Sequence, residues 1–142
     1  MYSAGIDTPK NAAFVKKYRS AYGKVPSYYS EANYTTAQWI DETMKKEGGK
    51  FPGPLPFMKT MAGIKLDAVR GPVRLDDRFT VVQNIYIKKI EKKKMFGYDK
   101  DELWNTVIKT YPNVSQFGQF EKAAFLKTPV YGRDYPPCKH CN

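Results

Sequence analysis

The sequence contains few of the residues that carry catalysis or bind metals. Among its 142 residues there is one histidine, His140, and there are two cysteines, Cys138 and Cys141, near the chain end. No GxSxG motif or glycine-rich phosphate loop occurs, and the carboxylates show no pattern typical of an acid and base pair. We therefore predict a binding protein that is not an enzyme and that needs no cofactor.

The CKHC segment at residues 138–141 leaves a metal or redox role as a weaker alternative. A thioredoxin-type cysteine pair lies at a helix N-terminus after a strand, whereas Pro136 and Pro137 precede this segment. A closed structural zinc site needs four ligands, and the segment supplies at most three. We interpret the cysteines as part of a surface tail, either free or bridged to each other, and expect no metal site.

Long hydrophobic runs are also missing. No stretch approaches the roughly 20 apolar residues that span a bilayer. The start, MYSAGIDTPKN, has neither the basic n-region nor the apolar h-region of a secretory signal. The sequence as it stands therefore predicts no membrane insertion and no signal peptide.

The composition fits one packed domain with a basic surface. Hydrophobic residues make up 42% of the chain and aromatic residues 15%, while the net charge is +10. Lysine outnumbers arginine 19 to 5, although arginine is the residue that phosphate and guanine contacts favour. We favour a solvated surface over a nucleic-acid site. A basic nucleic-acid-binding module that uses Lys88 to Lys94 is the alternative function.

Two predicted helices are joined by an unusually aromatic segment, YGKVPSYYSEANY, at residues 22–34. In the first helix, Phe14, Tyr18 and Tyr22 recur every four residues on one face. Gly23 then favours the left-handed backbone of a helix C-terminus. So many aromatic residues in a helix connection predict that something is packed or bound there.

The second predicted helix starts within this segment. Ser27 or Ser30 can accept amide hydrogen bonds in its first turn, and the helix is expected to run to about Gly48. Its apolar stripe is predicted to contain Asn33, Ala37, Ile40 and Met44. Backbone donors and the positive end of the helix dipole at this N-terminus favour anionic ligand groups.

The next residues predict a short helix and then a strand. KFPGPLPFMKTMAG, at residues 50–63, is typical of a loop followed by a short helix. The inward candidates of that helix are Phe57, Met58 and Met61. A short extended piece at Val73–Leu75 and a turn at Asp76–Asp77 follow.

A long hairpin is predicted in the second half of the chain. From Val81 the sequence alternates, with Ile85 and Ile87 on one side and Tyr86 and Lys88 on the other. The turn signal FGYDKD, at residues 96–101, would bring 103–111 alongside as an antiparallel partner. A short helix signal at 120–126 and a proline-rich tail complete the chain.

The order of these pieces resembles the C-terminal portion of a type I periplasmic solute-binding protein, in the branched-chain amino acid and amide receptor group of ABC importers. Four matches carry the resemblance: FVKKYRSAYG followed by VPSYYSEANYTTAQWIDETMKK, then RGPVRLDD, then VQNIYIKKIEKKK, and finally YPNVSQF with LKTPVYGRDYPP. The resemblance implies an α/β fold with two lobes, three crossovers and ligand captured between the lobes. This chain would supply helices, a short sheet and an antiparallel hairpin.

The resemblance also implies how the chain is divided. Residues 1–80 would hold the last helices and a strand of the first lobe, with a hinge crossover near Tyr2 to Asp7. Residues 81–142 would hold the crossover strand, the hairpin and an extended C-terminal tail. Because the strands of a mostly parallel sheet are buried on both faces, such a piece should expose apolar surface and unpaired strand edges.

The implied function is that of a truncated substrate-binding component of an ABC importer. The full-length parent would be periplasmic, would capture a small organic solute such as an amino acid, amide or aromatic acid, and would deliver it to the permease. Carried over by position, Tyr29 is the first candidate for ligand contact, followed by Tyr28 and Glu31. The alternative is that Tyr28 and Tyr29 only cover the helix junction.

Overall fold

Three helices precede a four-stranded sheet, and a short fourth helix follows it. The computed structural model describes residues 2–137, so Cys138, His140 and Cys141 lie outside the described residues. The elements are α1 Pro9–Tyr22, α2 Tyr28–Lys46, α3 Pro54–Ala62, β1 Leu66–Ala68, β2 Gly71–Leu75, β3 Val81–Lys93, β4 Glu102–Val114 and α4 Lys122–Phe125. In this described part of the chain, no helix has both the length and the hydropathy needed to cross a membrane.

The ends of α1 follow from its sequence. Thr8 caps the first turn by accepting a hydrogen bond from the Asn11 amide, and Pro9 occupies a first-turn position where no amide hydrogen is needed. At the other end, Gly23 has a φ of 67° and its amide donates to the Arg19 carbonyl at 2.8 Å. The predicted helix end at Gly23 is confirmed.

The buried face of α2 differs from the predicted stripe. The stripe of Asn33, Ala37, Ile40 and Met44 is wrong, because the buried residues are Glu31, Thr35, Trp39 and Thr43. Both stripes have helical spacing, so periodicity alone could not choose between them. Burying the large Trp39 ring removes more apolar area from water than burying the neighbouring isoleucine. The polar members of the buried stripe have internal partners, as when the Thr43 hydroxyl donates to the Trp39 carbonyl at 2.7 Å.

The sheet has the order β1-β2-β3-β4, and every pair is antiparallel. The described residues therefore contain no part of the mostly parallel sheet that we expected. The connections explain this, since β1 and β2 are separated only by Val69 and Arg70, and a parallel crossover needs about a dozen residues or more. The predicted hairpin is confirmed, with β3 and β4 paired from Gln83 and Val114 to Lys93 and Glu102.

Three buried clusters hold the helices against the sheet. The first contains Trp39, Ile64, Ala68 and Val73, the second Tyr2, Ile6 and Val69, and the third Val15, Met95 and Trp104. The predicted inward residues of α3, Phe57, Met58 and Met61, are only half-buried, and Met61 packs against the first cluster. The N-terminal segment thus forms part of the core, with Tyr2 only 3% exposed.

Gly5 is predicted to be important for stability because it lies against the backbone of β4. A Cβ at this position would clash with the Asn105 carbonyl oxygen and lie 2.9 Å from its carbonyl carbon. Its φ lies outside the left-handed region, so crowding rather than backbone strain excludes a side chain. We expect Gly5→Ala to lower the free energy of unfolding by about 1–3 kcal/mol, measured by urea denaturation with far-UV circular dichroism.

Gly63→Ala is the matched control. Its Cβ would meet the Thr60 carbonyl oxygen at 3.4 Å, an ordinary van der Waals contact, and its φ is −76°. The free energy of unfolding should therefore change by less than about 0.5 kcal/mol. Equal losses in the two variants would contradict the close approach of Gly5 to β4.

Candidate functional site

The N-terminus of α2 is held by two serines. The Ser27 hydroxyl accepts the Ser30 amide at 3.3 Å, and the Ser30 hydroxyl accepts the Ser27 amide at 3.4 Å. This reciprocal arrangement makes Ser27 the N-cap, which resolves the choice that the sequence left open. The Ser30 hydroxyl also donates to the Tyr18 hydroxyl at 3.0 Å. The start of α2 is thereby fixed to α1.

The three residues predicted to contact ligand occupy different environments. Tyr29 is 76% exposed and Tyr28 is 38% exposed, with their rings 5.6 Å apart in an edge-on arrangement. Glu31 is completely buried. Its side chain faces Arg70 rather than open space. The two tyrosines are thus accessible at the surface, whereas Glu31 is enclosed by the protein.

Glu31 forms a buried ion pair with Arg70. The Arg70 Nε lies 2.9 Å from Oε2 and donates a hydrogen bond to Oε1 at 3.1 Å. The Thr35 hydroxyl also donates to Oε1, at 2.5 Å, whereas Oε2 has no hydrogen-bond donor of its own. Since Arg70 is the only cation paired with this carboxylate among the described residues, the buried charge depends on it.

Arg70 connects α2 to β3. Its Nη1 donates to the Gln83 side-chain oxygen at 3.1 Å, and its backbone carbonyl accepts the Tyr86 hydroxyl at 2.6 Å. The guanidinium carbon also lies 5.7 Å from the centre of the Tyr28 ring, within cation–π range. Arg70 therefore supports Tyr28 from the protein interior.

Tyr2 lies close enough to Glu31 to sense its charge. Burial, together with the negative charge of Glu31, raises the pKa of the Tyr2 phenol well above its usual range. The Tyr2 hydroxyl donates to the Asn11 side-chain oxygen at 2.8 Å. Tyr2 is thus a neutral hydrogen-bond donor that ties the N-terminal segment to α1.

A small open depression of about 310 Å³ lies beside the N-terminus of α2. Its walls come from three segments that are far apart in the sequence: 2–5, 25–28 and 103–105. Tyr28 lines it, but Tyr29 and Glu31 do not. The segments 2–5 and 103–105 are tied together by the Ser3 hydroxyl, which donates to the Asn105 carbonyl at 2.6 Å. Its lining combines polar and apolar residues.

A second ion pair joins α1 to the start of β4. The Arg19 guanidinium donates to both carboxylate oxygens of Glu102, at 2.8 and 2.5 Å. These hydrogen bonds hold the pKa of Glu102 below its usual range. Both side chains are partly exposed, so the contact contributes more to the orientation of β4 than to stability.

Sequence reasoning missed most of the residues that surround Tyr28. Arg70 lies between β1 and β2, and nothing in the local sequence pattern indicates that it pairs with a carboxylate 39 positions earlier. The sequence also did not predict that Trp104 and Asn105 line the depression, because they meet residues 2–5 only after the hairpin folds. The signal that the sequence offered was one carboxylate, Glu31, beside an aromatic cluster. Only the register of α2 shows that this carboxylate is buried.

The metal alternative rests on the CKHC segment at residues 138–141, which lies outside the described residues. Residues 2–137 contain no group of three or more histidine, cysteine, aspartate or glutamate side chains able to hold a metal ion. The nucleic-acid alternative uses lysines of β3. The Lys88 ammonium donates to the Tyr2 carbonyl at 3.4 Å, and the Lys89 ammonium lies 3.2 Å from a Glu91 oxygen. These two lysines have protein partners, which weakens the case for a continuous phosphate-binding face.

An α/β piece with tyrosines beside a small depression is consistent with part of a solute receptor. The family model for periplasmic binding proteins matches residues 1–94, about two thirds of the chain. The chain belongs to the periplasmic binding protein family. A comparison with curated proteins finds no match.

Solved structures agree with this family. A solute-binding protein of an ABC transporter from Rhodopseudomonas palustris BisB5, in complex with 3,4-dihydroxy benzoic acid, is 31% identical over 80% of this chain, with a TM-score of 0.71. One from R. palustris HaA2, in complex with p-hydroxybenzoic acid, is 26% identical over 79% of this chain, with a TM-score of 0.65. The chain covers only 30% and 29% of these two proteins.

The leucine-, isoleucine-, valine-, threonine- and alanine-binding protein from Brucella ovis shares the fold alone. It is 18% identical over 75% of this chain, which covers 28% of that protein, with a TM-score of 0.56. The resemblance to type I periplasmic binding proteins is therefore confirmed, as is the partial α/β fold. None of these comparisons supports the nucleic-acid alternative.

Proposed function

We propose that this chain is the C-terminal part of the solute-binding component of an ABC importer. Its full-length parent is periplasmic, is not an enzyme, and captures a small organic solute such as an amino acid, amide or aromatic acid for delivery to a permease. The observation that carries this proposal is the 31% identity, over 80% of the chain, to a solute-binding protein that holds 3,4-dihydroxy benzoic acid.

The division of the chain into residues 1–80 of the first lobe and residues 81–142 of the second belongs to the same proposal. Its support is geometric. The depression is lined by 2–5, near the proposed hinge crossover, by 25–28 of the proposed first lobe, and by 103–105 of the proposed second lobe. The segments that the proposal assigns to the hinge and to the two lobes meet at this one depression, which supports placing the cleft there.

Tyr29 and Tyr28 are the proposed solute contacts. Each supplies a broad apolar ring and one hydroxyl, which suits an aromatic or amino acid solute. Tyr28 borders the depression, and Tyr29 follows it in the chain with its side chain 76% exposed. Glu31 contributes by holding Arg70, whose guanidinium supports the Tyr28 ring. The alternative, that both tyrosines only cover the helix junction, predicts no loss of binding when they are replaced.

The isolated chain is expected not to bind solute with useful affinity. It covers only about 30% of the related receptors, and contacts from the rest of the parent are needed to offset the cost of immobilising a small molecule. Isothermal titration with 3,4-dihydroxybenzoate, p-hydroxybenzoate and leucine should give dissociation constants weaker than about 1 mM, equivalent to roughly −4 kcal/mol. Tight binding by the 142-residue chain alone would show that it is a complete receptor and would end the proposal.

A chimeric receptor gives the positive test. Residues 2–137 would replace the matching part of the R. palustris BisB5 protein, and the chimera should bind 3,4-dihydroxybenzoate. Tyr28→Ala and Tyr29→Ala should each weaken binding by about tenfold, since truncating an aromatic contact removes a major part of its contact energy. Tyr131→Ala is the matched control, because Tyr131 is 73% exposed and lies in the tail. Failure of the unsubstituted, folded chimera to bind would refute the proposed function.

A further inference from the structure

An apolar groove of about 540 Å³ runs between α1 and α2, and no part of residues 2–137 fills it. Its lining includes Phe14, Tyr18, Ala21 and Tyr22 of α1 with Tyr34 and Gln38 of α2. The rings form a continuous ladder, with centroids 4.8 Å apart for Phe14 and Tyr34 and 4.6 Å apart for Tyr18 and Tyr22. The groove is separate from the depression beside Tyr28.

The groove has the features of a packing surface whose partner is not among the described residues. Tyr22 is 65% exposed and Tyr34 is 44% exposed, although both carry large apolar rings. The Gln38 side-chain oxygen is buried but has no hydrogen-bond donor among the described residues. Aromatic rings left in water and a desolvated acceptor without a donor both cost free energy. A docked segment that brings apolar side chains and a donor would remove both costs.

Charge indicates what kind of segment fits. Helix α1 has no carboxylate, and two of its basic residues, Lys10 and Lys17, line the groove. Lys10 is paired with Asp67 and Arg19 with Glu102. Two copies of this chain, each with a net charge of +10, would bring like charges together at the groove. A different polypeptide, with an apolar ridge and a carboxylate that can face Lys17, is the better match.

The size of the related structures indicates where such a polypeptide would come from. This chain covers 30% of the R. palustris BisB5 protein and 29% of the HaA2 protein, so most of either fold has no counterpart in it. We propose that the α1–α2 groove is the docking face for that missing part, and that the missing part binds there when it is supplied as a separate polypeptide. This inference rests on the proposed function, because it takes the chain to be one part of a receptor.

The direct test uses a defined partner. The portion of the R. palustris BisB5 protein that this chain does not cover is co-expressed with the tagged 142-residue chain, and purified material is analysed by size exclusion with light scattering. A one-to-one complex is expected. Tyr22→Lys should weaken it by about tenfold or more, because an ammonium group replaces a central apolar contact. Leu55→Lys is the control, since Leu55 is 75% exposed on α3 and does not line the groove.

A second measurement covers the case in which the separate partner is insoluble. In the chimeric receptor, Tyr22→Lys should lower the thermal midpoint by about 4 °C or more, whereas Leu55→Lys should have little effect. Equal effects of the two variants there, or no complex when the partner is soluble, would overturn the inference. So would a dimer of the isolated chain that Tyr22→Lys abolishes, since the occupant would then be a second copy.

Failure of docking and failure of the proposed function are distinguishable. Complex formation is measured without solute, and solute binding is measured separately by calorimetry on the chimera. A Tyr22-dependent complex of the two co-expressed polypeptides, together with a folded chimera that binds no solute, supports docking and refutes the proposed function. A chimera that binds solute but loses the same thermal stability in both lysine variants supports the proposed function and refutes docking.

Discussion

Replacing Arg70 with methionine is expected to lower the free energy of unfolding by about 3–5 kcal/mol. Glu31 is completely buried and Arg70 is its cationic partner, so the variant leaves a carboxylate in the interior without compensation. The Gln83 side-chain oxygen loses a donor as well. Urea denaturation of the 142-residue chain, followed by circular dichroism, measures the loss.

The double variant Glu31→Met with Arg70→Met separates the ion pair from simple packing. Removing both charges should restore most of the lost stability, because hydrophobic residues of similar volume often replace a buried pair at little cost. The Thr35 hydroxyl can then donate to the backbone carbonyl four residues earlier. If the double variant is as unstable as Arg70→Met alone, the uncompensated charge is not the cause.

Trp39→Ala is expected to lower the free energy of unfolding by about 3–5 kcal/mol. Trp39 is 6% exposed and packs with Ile64, Ala68 and Val73, and its indole nitrogen donates to the Met61 carbonyl at 3.2 Å. The alanine variant leaves a cavity between α2 and the sheet and removes this link to α3. Trp104 remains as a fluorescent probe of unfolding.

Ile40→Ala is the matched control for the register of α2. Ile40 directly follows Trp39 but is 44% exposed, so its truncation should change the free energy of unfolding by less than about 1 kcal/mol in this chain. A larger loss for Ile40→Ala than for Trp39→Ala would mean that the stripe containing Asn33 and Ala37 is the buried one.

Features that depend on neighbouring residues were predictable from the sequence. The end of α1 at Gly23 follows from the backbone freedom of glycine, and the N-cap of α2 was narrowed to two serines. The β3–β4 hairpin follows from alternation and a turn signal, and β4, at Glu102–Val114, extends beyond the predicted 103–111. Each of these depends on contacts within a few residues or across one turn.

The face of α2 could not be predicted in the same way. Its sequence offers two stripes of similar spacing, and the choice depends on what each stripe meets in space. Glu31 can be buried only because Arg70, in the β1–β2 turn, lies beside it and compensates its charge. The environments of Tyr28 and Tyr29 were hidden for the same reason, although both had been selected as candidates.

By itself, the sequence determined the family, the helical and hairpin segments and the aromatic joint at residues 22–34, since local backbone preferences and residue order specify all of these. Only the tertiary structure decided that every strand pair is antiparallel, that Glu31 is buried against Arg70, and that residues 2–5, 25–28 and 103–105 surround one depression. The physical reason is that burial and charge compensation depend on groups brought together from distant positions, which local patterns do not encode.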